Sequence, residues 1–195
     1  MAVRRSANAY KEHPCKDSSE ASFFADAHAL SALYARFRRP LHSYIYRLLG
    51  SQEDADDVTQ EVFVRVFIAW DGLHDRDNLS GWLYRIATHL SIDLLRRRKR
   101  ISWWSLTSHT CGDEGFFLPP DDGGIAEIAE REHIRLAIAN MPEDYAAALV
   151  LNVVQGVPYQ EVAAVVGISP GAAAIRISRA KKMFVEQYQR ISRSF

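Results

Sequence analysis

Residues 51–70 read SQEDADDVTQEVFVRVFIAW, and residues 79–100 read LSGWLYRIATHLSIDLLRRRKR. In the first segment apolar side chains recur every three or four residues, at Ala55, Val58, Val62, Val66 and Trp70. This is the period of an amphipathic helix with one buried face. Ser51 stands three residues before Asp54, a spacing typical of a helix N-cap. The segment therefore predicts a helix that starts near Ser51 and stops at Asp71-Gly72.

The second segment predicts another helix, whose apolar stripe we assign to Trp82, Ile86, Leu90 and Leu94. It ends in five consecutive cations, from Arg96 to Arg100. Capping of a helix C-terminus needs fewer than five, so this run points to phosphate contact. The first helix instead starts with carboxylates, which form either a solvated face or a docking surface: Glu53, Asp54, Asp56 and Asp57. The two charge runs predict two surfaces for two different partners.

The part of the chain before Ser51 predicts two more helices. Residues 21–37 have a helical apolar period, Pro40 is expected to interrupt it, and Leu41 begins a second short helix that ends at Gly50. Residues 1–20 mix charge, Pro and Ser without a period, and we expect them to be mobile. The sequence therefore predicts a four-helix domain over residues 21–102.

A second domain follows a long connection. Residues 103–125 show no period over most of their length, which exceeds that of most connections inside a compact domain. They include four carboxylates, Asp113, Glu114, Asp121 and Asp122. We expect an acidic, flexible linker here and a second helical domain over residues 126–192. The predicted fold class is all-α, with two small helical domains.

Residues 159–182 have the pattern of a helix-turn-helix motif, in which the second helix enters the major groove of DNA. Gly167 permits a left-handed turn, Ser169 suits an N-cap, and Pro170 suits the first helical position. On the second helix the predicted inward stripe is Ala173, Ile177, Ala180 and Phe184. The predicted outward face is Gly171, Ala172, Ile175, Arg176 and Arg179. Either arginine can read guanine or bind phosphate, and the spacing leaves both roles open.

The composition excludes several classes of protein. The 195 residues carry 24 basic and 24 acidic side chains, so the net charge is zero. The basic and acidic residues are nevertheless concentrated in separate segments of the sequence. No apolar run approaches the roughly 20 residues that a membrane helix needs, so no membrane insertion is expected. Cys15 and Cys111 are too few for a disulfide framework, which favours a reducing cytoplasm. No spacing matches a zinc site or a catalytic motif, so we expect no metal, no cofactor and no enzyme activity.

Two strings in this sequence resemble a known family. The first is DADDVTQEVF at residues 54–63, followed by GWLYRIA at 81–87 and SIDLLRR at 91–97. It resembles region 2 of a bacterial RNA polymerase sigma factor of the extracytoplasmic-function (ECF) class. The second, with GVPYQEVA at 156–163 and GISPGAAAIRISRA at 167–180, resembles region 4 of the same class. His89 stands where the family usually has Asn, and Ala172 where it usually has Thr.

The resemblance implies a function and three sets of site residues. A dissociable sigma factor binds core RNA polymerase, directs it to specific promoters and helps to open the −10 region. Contacts with a coiled coil of the largest polymerase subunit are expected from Asp54, Asp57, Gln60, Glu61 and Phe63. Contacts with the −10 element are expected from Trp70, His89, Asp93, Arg96, Arg97, Arg98 and Arg100. Contacts with the −35 element are expected from Ser169, Gly171, Ala172, Ile175, Arg176, Arg179 and Lys182.

Several alternatives stay open at this point. Trp70 can lie in the core instead of near a captured base, and the acidic linker can be a solvated tether instead of a nucleic-acid mimic. An anti-sigma factor or another inhibitor is a further expected partner. A stand-alone helix-turn-helix regulator would bind DNA without polymerase, but it leaves residues 54–63 unexplained. A helical protein that only sequesters a partner would show no dependence on DNA.

Overall fold

The computed structural model describes residues 17–70, 79–104 and 125–193, with side chains over 28–70, 79–101 and 128–193. Every regular element in these ranges is a helix, which confirms the all-α fold class. The chain divides into two compact units, Met1–Ala35 and Arg36–Phe195. Of the predicted mobile segment 1–20, residues 17–20 are helical, and of the predicted linker 103–125, residues 103, 104 and 125 are helical. The rest of both segments and residues 71–78 lie outside the described residues. The predicted domain boundary within 103–125 therefore stays a prediction.

Helix α1 runs without a break from Asp17 to Leu49, so it starts before Ala21 and contains Pro40. The predicted interruption at Pro40 is wrong, and the described part of residues 21–102 holds three helices instead of four. Proline removes one intrahelical hydrogen bond, but packing supplies most of the stability of a helix in a protein. After Pro40 that packing is dense, because every third or fourth side chain is buried: Leu41, Tyr44, Ile45, Leu48 and Leu49.

Helix α2 spans Gln52–Ala69 and follows the prediction closely. The Ser51 hydroxyl accepts a hydrogen bond from the Asp54 backbone N–H at 3.3 Å, which confirms the N-cap. The whole predicted apolar face is buried: Ala55, Val58, Val62, Val66 and Trp70. The Trp70 backbone N–H bonds to the Phe67 carbonyl and closes the helix.

Helix α3 spans Leu79–Trp104, but its buried face differs from the predicted stripe. Trp82, Ile86, Leu90 and Leu94 are only half-buried. The core instead receives Leu83, Tyr84, Ala87, Thr88, Ser91 and Ile92. A strict four-residue spacing drifts around a helix of 3.6 residues per turn, so it does not stay on one face. The core at this position also contains the small residue Ala87 and the polar residues Thr88 and Ser91, which a stripe built from large apolar residues does not include.

A buried polar chain connects α1 to α3. The Thr88 hydroxyl donates to the Tyr84 carbonyl at 2.6 Å, and the Tyr44 and Thr88 hydroxyl oxygens lie 2.8 Å apart. Because Thr88 has one proton and gives it to Tyr84, Tyr44 is the donor in the second bond. The Tyr44 and Tyr84 rings pack edge to face, with centroids 5.4 Å apart. Burial raises the pKa of Tyr44 far above its ordinary value, so the hydroxyl stays protonated and able to donate.

The remaining helices form the predicted helix-turn-helix and its support. They are α4 (Ile125–Ala139), α5 (Glu143–Leu149) with a π-helical turn at Val150–Val154, α6 (Tyr159–Val166) and α7 (Pro170–Ser192). Gly167 has φ 76°, and the Ser169 hydroxyl accepts from the Ala172 N–H at 3.3 Å, as predicted for the turn and the cap. Ala173, Ile177 and Ala180 are buried, whereas Val166, Ile168 and Phe184 are half-buried.

Helix α3 also contacts α5 and α6, so the two predicted helical segments meet within the unit Arg36–Phe195. The Tyr84 hydroxyl donates to the Gln155 side-chain oxygen at 3.0 Å, just after the π-helical turn. Tyr84 therefore contacts Tyr44 with its ring, Thr88 with its carbonyl and Gln155 with its hydroxyl.

The direction of the hydrogen bonds in this chain predicts unequal costs for its two hydroxyls. Thr88→Val leaves the buried Tyr44 donor without its acceptor and should lower the free energy of unfolding by about 1–3 kcal/mol. Tyr44→Phe leaves Thr88 bonded to Tyr84 and should cost about 0.5–1.5 kcal/mol. Urea unfolding of both single variants and of the double variant measures this. The double variant should cost less than the sum of the two, and a larger loss for Tyr44→Phe than for Thr88→Val would contradict the assigned direction.

Candidate nucleic-acid and partner interfaces

The acidic start of α2 is exposed along most of its length. Asp57, Gln60 and Glu61 are exposed and Phe63 is half-buried, so the predicted docking residues share one accessible side of the helix. Glu61 pairs with Arg65 at 2.8 Å, one turn later. Further along the helix, Phe67 is 71% exposed and Ile68 is 76% exposed. This side of α2 therefore combines carboxylates with apolar side chains that are accessible in this structure.

The Asp54 carboxylate accepts a hydrogen bond from the Arg98 guanidinium of α3. Asp54 belongs to the predicted polymerase-docking set and Arg98 to the predicted −10 set. The sequence pattern predicted two separate charged surfaces. The pair of Asp54 with Arg98 shows that the two surfaces are joined at this point. Packing of α2 against α3 brings the acidic start of one helix to the basic end of the other.

Two more cations at the end of α3 are paired with carboxylates at the start of α5. The Arg96 guanidinium lies 3.5 Å from the Asp144 carboxylate, and the Lys99 ammonium lies 2.5 Å from the Glu143 carboxylate. Three of the five cations in the basic run are thus neutralised by the chain itself. Arg97 and Arg100 are exposed and form no ion pair within the part of the chain that the structure describes.

The electrostatics of Glu143 follow from these neighbours. Burial by itself raises the pKa of the Glu143 carboxyl, but the hydrogen bond from Lys99 and the nearby charges of Lys99 and Arg96 lower it, and the net pKa lies below its ordinary value. A carboxyl with a lowered pKa stabilises the folded contact above its ordinary pKa, and that contribution is lost as pH falls through the lowered pKa. The electrostatic contribution of Glu143 to the contact between α5 and α3 is therefore fully present at neutral pH.

The remaining residues of the predicted −10 set divide into two groups. His89 and Asp93 are exposed on α3, one turn apart and upstream of the basic run. Trp70 is only 5% exposed and packs in the core, so its ring is not available to stack on a base. The structure therefore favours the core alternative for Trp70 over stacking on a captured base. A buried aromatic at the end of an apolar stripe is explained by packing alone.

The recognition helix α7 presents most of its predicted residues to solvent. Exposed residues of the predicted −35 set are Ser169, Gly171, Ala172, Ile175, Arg179 and Lys182, with Ile175 at 56%. Arg176 is the exception because it is half-buried, with its guanidinium carbon 5.9 Å from the centroid of the Tyr145 ring. The expectation that Arg176 faces outward like Arg179 is therefore only partly correct.

Sequence reasoning missed the contacts that the first turn of α5 makes with α3 and α7. Glu143 and Asp144 contact the basic run, and the next residue, Tyr145, lies under Arg176. In the sequence these carboxylates follow Met141-Pro142 and are explained by helix N-terminal preference alone. Glu143 and Asp144 differ from other acidic residues at helix N-termini only because they lie beside α3 and pair with Lys99 and Arg96.

Other kinds of site find no support in the described ranges. No group of three His, Cys, Asp or Glu side chains is arranged there to hold a metal ion. No single helix among those residues is long and apolar enough to cross a membrane, and α6 and α7 meet the combined length and hydropathy criteria only as a pair, across a 100° bend. Cys15 and Cys111 lie outside the described residues.

Comparison with known proteins identifies the family. The sequence matches Sigma-70 region 2 over residues 33–101 and Sigma-70, region 4 over residues 131–184. It is 33% identical to the ECF RNA polymerase sigma factor SigE of Mycolicibacterium smegmatis over 70% of this chain, and it spans 52% of that protein. It is 31% identical to the RNA polymerase sigma factor SigZ of Bacillus subtilis, covering 76% of this chain and 81% of SigZ.

The fold agrees with these matches. The crystallised sigma factor RpoE from Bartonella quintana superposes with a TM-score of 0.66, over 82% of this chain and 96% of that chain, at 20% identity. The two region matches fall on the helices that carry the acidic side of α2, the basic run and the helix-turn-helix. The chain belongs to the ECF class of RNA polymerase sigma factors, which direct the polymerase to promoters.

Proposed function

We propose that this chain is a dissociable sigma subunit that binds core RNA polymerase, directs it to specific promoters and helps to open the −10 region. The observation that carries the proposal is the coexistence of an exposed recognition helix and an exposed acidic helix in one chain. A stand-alone DNA-binding regulator needs α7 but has no use for the accessible carboxylates and apolar side chains of α2. A protein that only sequesters a partner needs α2 but has no use for a helix-turn-helix.

The polymerase contact is assigned to the outer side of α2. Asp57, Gln60 and Glu61 supply charge and hydrogen bonding for a basic partner, and Phe63 supplies an apolar anchor beside them. Asp54 belongs to the same surface but is held by Arg98 in the free chain. A coiled coil of the largest polymerase subunit is the proposed partner of this surface.

The −10 contact is assigned to the exposed side of α3. His89 and Asp93 precede the basic run on this helix, and Arg97 and Arg100 are its exposed cations without an ion pair among the described residues. Arg96 and Arg98 can join them once their carboxylate partners are displaced by phosphate. Phosphate contacts of this kind set the register and strength of binding and carry no sequence information themselves.

The −35 contact is assigned to α7. Its capped N-terminus, with Ser169 and Gly171, approaches the DNA backbone, and Ala172, Ile175 and Arg179 form the face that enters the groove. Arg can bind guanine through two hydrogen bonds, and Ile can lie against a thymine methyl. Lys182 lies further along the exposed side, where it can reach a phosphate.

A regulatory partner is also proposed. The RpoE chain from Bartonella quintana was crystallised in complex with the anti-sigma factor NepR. The accessible apolar and acidic side of α2 gives a similar inhibitor a surface to occupy. We place this activity in the cytoplasm, together with the polymerase, and assign the chain no catalysis of its own.

Run-off transcription tests the proposed function. Core polymerase with this protein should produce transcripts from a subset of genomic promoter fragments that core polymerase alone does not transcribe. Protein-dependent transcripts with defined start sites are the expected result. Specific, tight DNA binding by the free chain, together with no effect on transcription, would favour the stand-alone regulator.

Charge reversal on α2 tests the docking surface. Asp57→Lys should reduce co-purification with core polymerase by at least about ten-fold, because loss of one interfacial charge pair commonly costs about 2 kcal/mol or more. Asp57 is exposed and forms no ion pair within the described residues, so the variant should keep its helicity. Glu186→Lys, the same change at an exposed site on α7, is the matched control and should bind normally. Equal retention of polymerase by both variants would place the docking surface elsewhere.

The carboxylates of α5 should weaken DNA binding by the free chain. Replacing both, with Glu143→Gln and Asp144→Asn, removes the partners of Lys99 and Arg96 while keeping side-chain shape. Non-specific duplex binding should strengthen, and the slope of log K against log salt should steepen by about one to two, because two more cations become available to phosphates. Glu53→Gln on α2 is the control. An unchanged slope would mean that these pairs do not limit access to the basic run.

A further inference from the structure

The placement of Arg176 sets it apart from the other candidate DNA contacts of α7. Its guanidinium carbon lies 5.9 Å from the Tyr145 ring centroid, within the distance at which a cation is attracted to an aromatic face. Tyr145 belongs to α5 and is itself half-buried, so the ring is fixed by the packing of α5 against α7. Arg176 is thus held by a neighbouring helix, whereas Ile175 and Arg179 are exposed.

The helical positions explain what this restraint does. Ala172, Ile175 and Arg179 recur every three or four residues and define the exposed face, opposite the buried Ala173, Ile177 and Ala180. Arg176 lies between these two faces, on the side that meets α5. A guanidinium drawn toward α5 points away from the centre of the exposed face and toward its edge. The edge of a recognition helix lies beside the sugar-phosphate backbone when the helix is in the major groove.

We propose that Tyr145 is a positioning residue that holds Arg176 at the edge of the recognition face, where it binds a promoter phosphate. Reading of bases is then left to Ile175 and Arg179. This inference rests on the proposed function, and it specifies which arginine of α7 binds the backbone and which binds the bases. Tyr145 itself need not touch DNA.

The chemistry of the two side chains supports this division. Arginine stacks on aromatic rings because its guanidinium is planar and weakly hydrated, and it can keep its N–H donors free at the edge of the stack. A side chain already ordered in the free protein loses less conformational entropy on binding. Tyr145 therefore contributes by ordering Arg176 before the DNA arrives, without adding a contact of its own.

A double-mutant cycle tests the proposal with holoenzyme assembled from core polymerase and each variant. Arg176→Ala should weaken binding to all members of a −35 library by a similar factor and reduce the salt slope by about one. Tyr145→Leu should weaken binding by about two- to five-fold with little change in slope, because the charge remains. Tyr145→Phe keeps the ring and should bind like the wild type. Adding Tyr145→Leu to Arg176→Ala should cause no further loss.

The outcomes separate the possible errors. If Arg176→Ala relaxes preference at one base position, Arg176 reads a base and the proposal is overturned. If Tyr145→Leu weakens binding equally with and without Arg176, the ring acts through the fold or through its own contact, which also overturns it. If wild-type protein and core polymerase form no promoter-specific complex at all, the proposed function fails, and the phosphate contact fails with it. Ring-current shifts of the Arg176 side-chain protons in the free chain, lost in Tyr145→Leu, measure the stacking independently of DNA.

Discussion

Hydrogen bonds and one ring contact of Tyr84 join α1, α3 and the segment just after the π-helical turn. Its carbonyl accepts from Thr88, whose hydroxyl in turn accepts from Tyr44, so α1 and α3 are held at one rotation. Its ring packs edge to face on Tyr44, and its hydroxyl donates to Gln155 beside the π-helical turn. Polar groups in a core must be paired, and each such pair allows few arrangements. The same side chain therefore orients the basic end of α3 and contacts the segment that leads into the helix-turn-helix.

Electrostatics add a second constraint on the same helices. A net charge of zero is unusual for a DNA-binding protein, and in this chain three cations of the basic run are paired with carboxylates. Arg98 pairs with Asp54, Lys99 pairs with Glu143, and Arg96 pairs with Asp144. Each carboxylate takes the place that a phosphate group could take beside the cation. These partly exposed pairs are individually weak, and a polyanion can displace them. Asp54 lies on α2, so its pair with Arg98 joins the acidic start of α2 to the basic run of α3.

Two mistaken predictions have a common physical origin. The predicted break at Pro40 relied on local backbone chemistry, and the predicted stripe on α3 relied on counting apolar residues. In both places tertiary packing determines the structure. The buried residues after Pro40 keep α1 continuous. On α3 the buried face includes three small residues, Ala87, Thr88 and Ser91. The half-burial of Arg176 has the same origin. Arg176 contacts Tyr145 of α5, and the sequence of α7 alone does not predict this contact.

Four features could be predicted from the sequence alone: the all-α class, the cap and buried face of α2, the turn and cap of the helix-turn-helix, and the family. These features depend on side chains within a few residues of one another, so their spacing records them directly. Three features required the packed helices: the burial of Trp70, the pair of Asp54 with Arg98, and the contacts of the first turn of α5 with the basic run and Arg176. Those contacts join residues far apart in the chain, and they form only where helix packing brings the helices together.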